Sequence, residues 1–312
     1  MNKERKKFLK RRFGWYAIRG IISLNGILPL SLSYFAGKTL GSIAYLCVRR
    51  HRKIALNSLA VAFPGKSLKE NRKIVRNFFI FMAQGTFELL HFLKNPAELG
   101  NTRIQGKKHL DEALKKKRGV ILLTAHLGNF PLMSLKLAKA GYTANVVIRQ
   151  MRDTSANNYF HNLRLEGGVK TICSLPRRQC ISGILNALRN NEVVIMLMDQ
   201  NFGSGGVWVK FFNKLAATPV GPIVLAVRAK AAVVPAYIYR EGKGKHCIKV
   251  FPQEELISSD NKQEAILLNA IKFTRMIEGW IKEFPCQWGW IHRRWKSQPS
   301  KKDRSEEFKI EE

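Results

Sequence analysis

The chain has 312 residues, of which 46% are hydrophobic, 10% aromatic and 24% charged; this composition excludes wholesale disorder, collagen-like repetition and a disulfide miniprotein. Lys and Arg number 54 against 22 Asp and Glu, a formal net charge of +32, which points to a polyanionic partner such as nucleic acid, an anionic bilayer or an acidic protein. Five widely spaced cysteines without a CxxC (Cys47, Cys173, Cys180, Cys247, Cys286) exclude the close-spaced zinc and redox motifs and predict reduced, mostly buried thiols.

The amino terminus reads as a membrane address. Lys3, Arg5, Lys6, Lys7, Lys10, Arg11 and Arg12 precede an apolar stretch from Phe13 to Val48 that only Arg19 and Lys38 interrupt. Its uncharged part, Gly20 to Gly37, is 18 residues long, marginal for a hydrocarbon core of about 30 Å. Pro29 weakens a spanning helix further. Arg49, Arg50, Arg52 and Lys53 follow. Residues 1–55 are therefore expected to form a basic, apolar, membrane-associated helical segment, spanning or interfacial. Its flanking cations are each worth about 1 kcal/mol near anionic lipid. A cleaved signal peptide fits poorly, because Ser-Tyr-Phe-Ala-Gly is a weak cleavage site. The bland alternative is a buried amphipathic hairpin.

Residues 56–300 read as one α/β domain. Ser67-Leu-Lys-Glu70 is a capping-box pattern, and apolar residues at helical spacing predict a helix from Leu68 to Leu93. Gly119 to Ala125 is a short apolar run suited to a strand covered on both faces. Asn129 is expected to cap the next helix, Pro131 fits its first turn and Gly141 ends it. Strands are expected at Asn145–Arg149, Val193–Met198 and Ala232–Tyr239, with an edge strand at Lys249–Phe251. Helices are expected at Ile181–Arg189, Thr218–Lys230 and Asp260–Glu283, the last stopped by Pro285. This alternation implies a mostly parallel sheet flanked by helices. Residues 301–312 form a charged tail.

Two constellations fall where buried strands end, the edge at which open α/β sheets place their sites. His126 stands in Thr124-Ala-His-Leu-Gly-Asn-Phe-Pro131, where a neutral imidazole can take a proton from a hydroxyl. A lone histidine there is more often a structural hydrogen-bonding residue. Asp199 and Gln200 open the run Asp199-Gln-Asn-Phe-Gly-Ser-Gly-Gly206, otherwise a plain glycine-rich turn. Both runs should open on one edge of the sheet.

Together with further segments in order, these residues carry a family likeness. The segments are Asn57-Ser-Leu-Ala-Val-Ala-Phe-Pro64, Phe87-Glu-Leu-Leu90, the strand and His-x-Gly-Asn run 119–129, Asp199-Gln200, Phe211-Phe-Asn-Lys-Leu-Ala-Ala-Thr-Pro-Val-Gly221 and Trp288-Gly-Trp-Ile-His-Arg-Arg-Trp-Lys296. The chain resembles the lipid A late acyltransferases (lauroyl/myristoyl acyltransferases), a branch of the lysophospholipid acyltransferase superfamily. The resemblance implies a glycerolphosphate acyltransferase-like α/β fold and O-acyl transfer without a cofactor or metal. It implies an acyl carrier protein thioester as donor and a hydroxyl of a lipid A precursor or related glycolipid as acceptor. It also implies a place on the cytoplasmic face of a bacterial inner membrane. Catalysis is expected from His126 and Asp199, and substrate binding from Gly128, Asn129, Arg149, Arg164 and Gln200. Arg164 lies in Arg-Leu-Glu-Gly-Gly168, which resembles the family's Arg-x-x-x-Gly element.

One departure stands out. The family motif is His-x4-Asp/Glu, and the acidic position is occupied by Pro131. Asp199, Glu88 and Glu166 are the acids available to replace it, with Asp199 the expected substitute. Without a substitute the chain would be a catalytically weak or inactive lipid-binding relative. His292 is a rival base, and Arg293 and Arg294 suit structure or lipid as well as substrate. A nucleic-acid binder would explain the charge but not the apolar amino terminus, and no zinc finger or RNA-binding signature occurs.

Overall fold

The computed structural model describes Tyr16, Arg19, Gly20 and residues 22–151 and 153–299. The basic cluster at residues 3–12 and the tail at 301–312 lie outside the described residues.

Residues 22–27 are helical, and three helices follow: α1 (Leu30–Cys47), α2 (Arg49–Ala62) and α3 (Leu68–Lys94). Ser67 caps α3 with the full capping box: its hydroxyl accepts from the Glu70 N–H, and Glu70 reaches back to the Ser67 N–H. Beyond them β1 (Thr102–Gln105), α4 (Lys107–Lys115), β2 (Val120–Thr124), α5 (Phe130–Lys139), β3 (Ala144–Ile148), α6 (Thr154–Glu166), β4 (Lys170–Cys173), α7 (Arg177–Arg189) and β5 (Val193–Leu197) alternate. The hairpin β6 (Val207–Phe211) and β7 (Lys214–Thr218) follows, then α8 (Gly221–Ala229), β8 (Ala232–Gly242), β9 (Lys245–Val250) and α9 (Lys262–Glu283).

Seven strands form one sheet in the order β1-β9-β8-β2-β5-β3-β4. Every pairing is parallel except that of β8 with β9. Strand β2 lies at the centre, fully buried. Alternation sends its side chains to two layers. Ile121 and Leu123 join the cluster of α2, α7, α8 and α9, while Val120 and Leu122 join that of α4 and α5.

Some expected elements fall elsewhere. Thr218 does not start a helix but ends β7, because Pro219 drives the preceding residue to extended backbone. Helix α8 begins at Gly221 with Pro222 in its first turn. The strand expected at Lys249–Phe251 is Lys245–Val250, and it is no edge: β1 covers it. The polar start Lys245-His246 hides a strand whose His246 is wholly buried. Cys180 and Cys247 are buried, but Cys47 and Cys173 are exposed because each is the last residue of its element. All five are free thiols.

Helix α1 is two-sided. Ser33, Tyr34, Gly37 and Gly41 are buried against α3. The glycines permit this approach: a Cβ at Gly41 would stand 2.5 Å from Ile80 Cα, and one at Gly37 2.7 Å from Gln84 Cα. Leu32, Phe35, Ile43 and Leu46 are exposed, and at 3.6 residues per turn they fall within about 80° of one another on the other side. Among the described residues no helix is long and apolar enough to cross a membrane.

Gly41→Val should force α1 off α3. Urea unfolding is expected to show a loss of about 1–3 kcal/mol, whereas Leu46→Ala on the exposed side should leave the midpoint nearly unchanged.

Candidate active site

Parallel pairing fixes the geometry. Thr124 of β2 is in register with Leu197 of β5, and the Met198 N–H donates to Thr124 O at 3.1 Å. His126 and Asp199 each lie two positions further on, so the register that pairs the strands also brings the two side chains together.

The contact is made with full satisfaction. His126 Nδ1 lies 2.8 Å from Asp199 Oδ1, and the His126 backbone N–H donates to Oδ2 at 3.0 Å. Trp288 Nε1 donates to the same Oδ2 at 2.7 Å. Asp199 is 0% exposed in its side chain, and His126 27%. Burial alone would raise the Asp199 carboxyl. The charge of His126, its hydrogen bonds and that of Trp288 outweigh burial and hold the group below the usual carboxylate range. An ionised carboxylate only accepts, so Nδ1 carries a proton in either charge state of the ring, and whenever the ring is neutral it is Nε2 that has the free lone pair. The His126 ring leans edge-on against Phe130 at 4.9 Å.

The turn that carries His126 is held at each residue. Leu127 bridges to Trp288, and the Gly128 N–H donates to Gln287 O at 2.9 Å. Gly128 has φ +62° and faces the Ile238 carbonyl, where any Cβ would collide. Asn129 does take the cap position of α5, yet its side chain does not cap the helix. It turns away, because Gly85 O and Glu88 Oε2 accept from its Nδ2 at 3.0 and 3.1 Å. Pro131 occupies the first turn of α5, whose positive dipole end therefore opens at the site.

The other expected residues are more scattered. Gln200 follows Asp199 and is half-buried. Arg149 is exposed just past β3, on the same sheet edge as His126 but two strands away, about 10 Å laterally. Arg164 lies on α6 and donates from Nε to Thr171 Oγ1 at 3.2 Å, its guanidinium pKa lowered by burial. Of the rival acids, Glu166 is exposed at the end of α6, and Glu88 serves Asn129. His292 is engaged: its Nε2 accepts from the Asn201 N–H at 2.9 Å, and burial lowers its pKa. Arg294 is wholly buried, donating to Ala217 O and Thr218 Oγ1, and burial pushes it down to about 10. It therefore holds the β7 end of the hairpin. Sequence reasoning singled out neither Gln287 nor Arg240. The one signal for Arg240 was a cation at the end of a long apolar strand.

Trp288→Phe removes one buried donor from Asp199, which should cost about 1–3 kcal/mol. The Asp199 pKa is depressed in the fold, so its stabilising share is full above about pH 4 and is lost as pH falls through the folded value. Losing Trp288 Nε1 raises that folded value. Urea midpoints measured against pH should show the acid edge of stability moving to higher pH in the variant.

Residues 1–297 match the model of the bacterial lipid A biosynthesis acyltransferases. The chain is 28% identical over 291 residues to the lipid A biosynthesis lauroyltransferase of Escherichia coli K12, covering 91% of this chain and 92% of the relative. It is 26% identical over 304 residues to the palmitoleoyltransferase of the same organism, covering 94% and 95%. A phosphatidylinositol mannoside acyltransferase of Mycobacterium tuberculosis is 28% identical over 204 residues, 65% of this chain and 63% of that one. With the match running across almost every element described above, the chain belongs to the bacterial lipid A biosynthesis acyltransferase family.

Proposed function

We propose that the chain moves a fatty-acyl group from an acyl carrier protein thioester to a hydroxyl of a lipid A precursor or related glycolipid. The observation that carries this is the buried Asp199 against His126 Nδ1 at 2.8 Å. It leaves Nε2 as the free base of an oriented imidazole, the arrangement that deprotonates an attacking hydroxyl. His126 Nε2 takes the acceptor's proton as its oxygen attacks the thioester carbonyl. The tetrahedral intermediate collapses, the carbon–sulfur bond breaks, and the imidazolium returns the proton to the departing thiolate. Asp199 stays ionised and stabilises the imidazolium. Negative charge on the intermediate's oxygen forms near the positive end of α5. The competing reading, a lipid binder without turnover, rests on Pro131, and the Asp199 pair supplies the carboxylate that Pro131 withholds.

The acceptor class is supported by relatives named for lipid A and for phosphatidylinositol mannoside, both glycolipids. Arg149 suits an anionic headgroup at the sheet edge, with Gln200 and the Gly128-Asn129 turn beside the reacting hydroxyl. The net charge of +32 favours both an acidic carrier protein and anionic lipid. Residues 1–55 serve as the membrane-associated segment. Its support is the exposed apolar side of α1, next to the exposed cations Arg49, Arg50 and Lys53. An interfacial helix on the cytoplasmic face of the inner membrane fits this two-sidedness.

Purified protein should be given acyl carrier protein thioesters and a panel of glycolipid and lysophospholipid acceptors, with products read by mass spectrometry. His126→Ala should lose about 10²–10⁴-fold in turnover while folding normally. Asp199→Asn should lose turnover with little change in apparent affinity. Wild-type rates in His126→Ala would overturn the mechanism, and free fatty acid as the sole product would indicate a hydrolase.

Phe35→Glu with Ile43→Glu should keep the fold but cut co-sedimentation with anionic phospholipid vesicles severalfold. Unchanged binding would move the membrane contact away from α1.

A further inference from the structure

Glu88 is a second buried carboxylate beside the His126 turn, and the chemistry just proposed does not use it. Its side chain is 0% exposed. Tyr34 of α1 donates its hydroxyl to Oε1. Arg240 of β8 donates to Oε2 from Nε at 3.3 Å and from Nη2 at 2.7 Å. Its guanidinium lies over the Phe81 ring at 4.2 Å. Asn129 Nδ2 donates to Oε2 at 3.1 Å. His246 Nε2 of β9 stands 2.8 Å from Oε1, too poorly aligned for a hydrogen bond, and so counts as an electrostatic neighbour.

These neighbours exclude Glu88 as a base. Burial would raise its carboxyl, but His246 and Arg240 outweigh burial and bring it to about 2. It stays ionised at neutral pH with both oxygens engaged. A buried carboxylate and arginine already satisfy most of one another's needs. The contact that remains to be explained is Asn129. An asparagine at a helix cap ordinarily accepts from the helix's own N–H groups. Here it turns its amide to Glu88 and leaves the first turn of α5 without a side-chain cap.

We infer that Glu88 is a positioning residue for the base: acting through Asn129, it fixes the far end of the turn whose near end Asp199 fixes. The four residues His126 to Asn129 are pinned at the first by one buried carboxylate and at the last by another. Between them the Gly128 backbone lies so close to the Ile238 carbonyl that no Cβ would fit, and its N–H is tied to Gln287 O, so the turn has little freedom to absorb a shift at Asn129 before it reaches His126. The inference rests on His126 being the base.

The test uses the full chain. Glu88→Gln keeps shape and removes charge. Its turnover should fall about 10–100-fold through misplacement of the base, with apparent KM for both substrates nearly unchanged. The ring-nitrogen NMR signals of His126 should shift while circular dichroism stays native. Asn129→Ala should reproduce both effects, and the double variant should fall no further than the worse single one. Tyr34→Phe, which leaves the Asn129 contact in place, should lower the thermal midpoint but keep turnover. Native turnover and native His126 signals in Glu88→Gln overturn the inference, as do multiplicative losses in the double variant, which mark a merely structural role. If Glu88→Gln does not fold, unchanged His126 signals in Asn129→Ala overturn it equally. The NMR arm needs no substrate. Failure of the acyl-transfer reading, seen as full activity in His126→Ala, is therefore separable from failure of this one.

Discussion

An ionised carboxylate taken out of water is tolerated only when its oxygens are filled, and Asp199 imposes that condition on everything around it. Its three donors come from two distant parts of the chain: the ring and backbone of His126, and the indole of Trp288. The strand register brings the first, and the segment after α9 brings the second. Neither the sheet edge nor the carboxyl-terminal segment can move without exposing or orphaning that charge. The same requirement fixes the histidine tautomer, so the demands of stability and of the proposed proton transfer coincide in one contact.

Much of this was legible because apolar runs announce buried strands. Gly119 to Ala125 and Val193 to Met198 are both such runs, and polar residues just beyond them had to share an edge if the strands were parallel neighbours. That argument placed His126 and Asp199 together, as the contact of their side chains bears out. What stayed hidden was short or polar. Strands β1 and β4 have four residues each and carry charged or threonine side chains, so no periodicity marks them. The hairpin β6–β7 begins only after the glycine-rich run that read as a turn, and its last residue, Thr218, read as the start of a helix. Tyr34, Arg240 and His246 are ordinary residues in sequence. Only three-dimensional convergence on Glu88 makes them a group.

Asn129 shows the limit of local rules. Its type and place identify a helix cap, and it does stand at the cap. The stronger electrostatic pull of a buried carboxylate took its amide away. A propensity describes what a residue does when nothing stronger competes, and the interior beside His126 holds two stronger competitors.

The Trp288 contact also bears on the order in which the molecule can be completed. Trp288 follows Asp199 by 89 positions. During synthesis both central strands emerge well before that indole exists to meet the carboxylate. Until then the end of β5 carries a charge lacking one of its donors. The His126–Asp199–Trp288 geometry is therefore completed only after residues well beyond the central strands have been made.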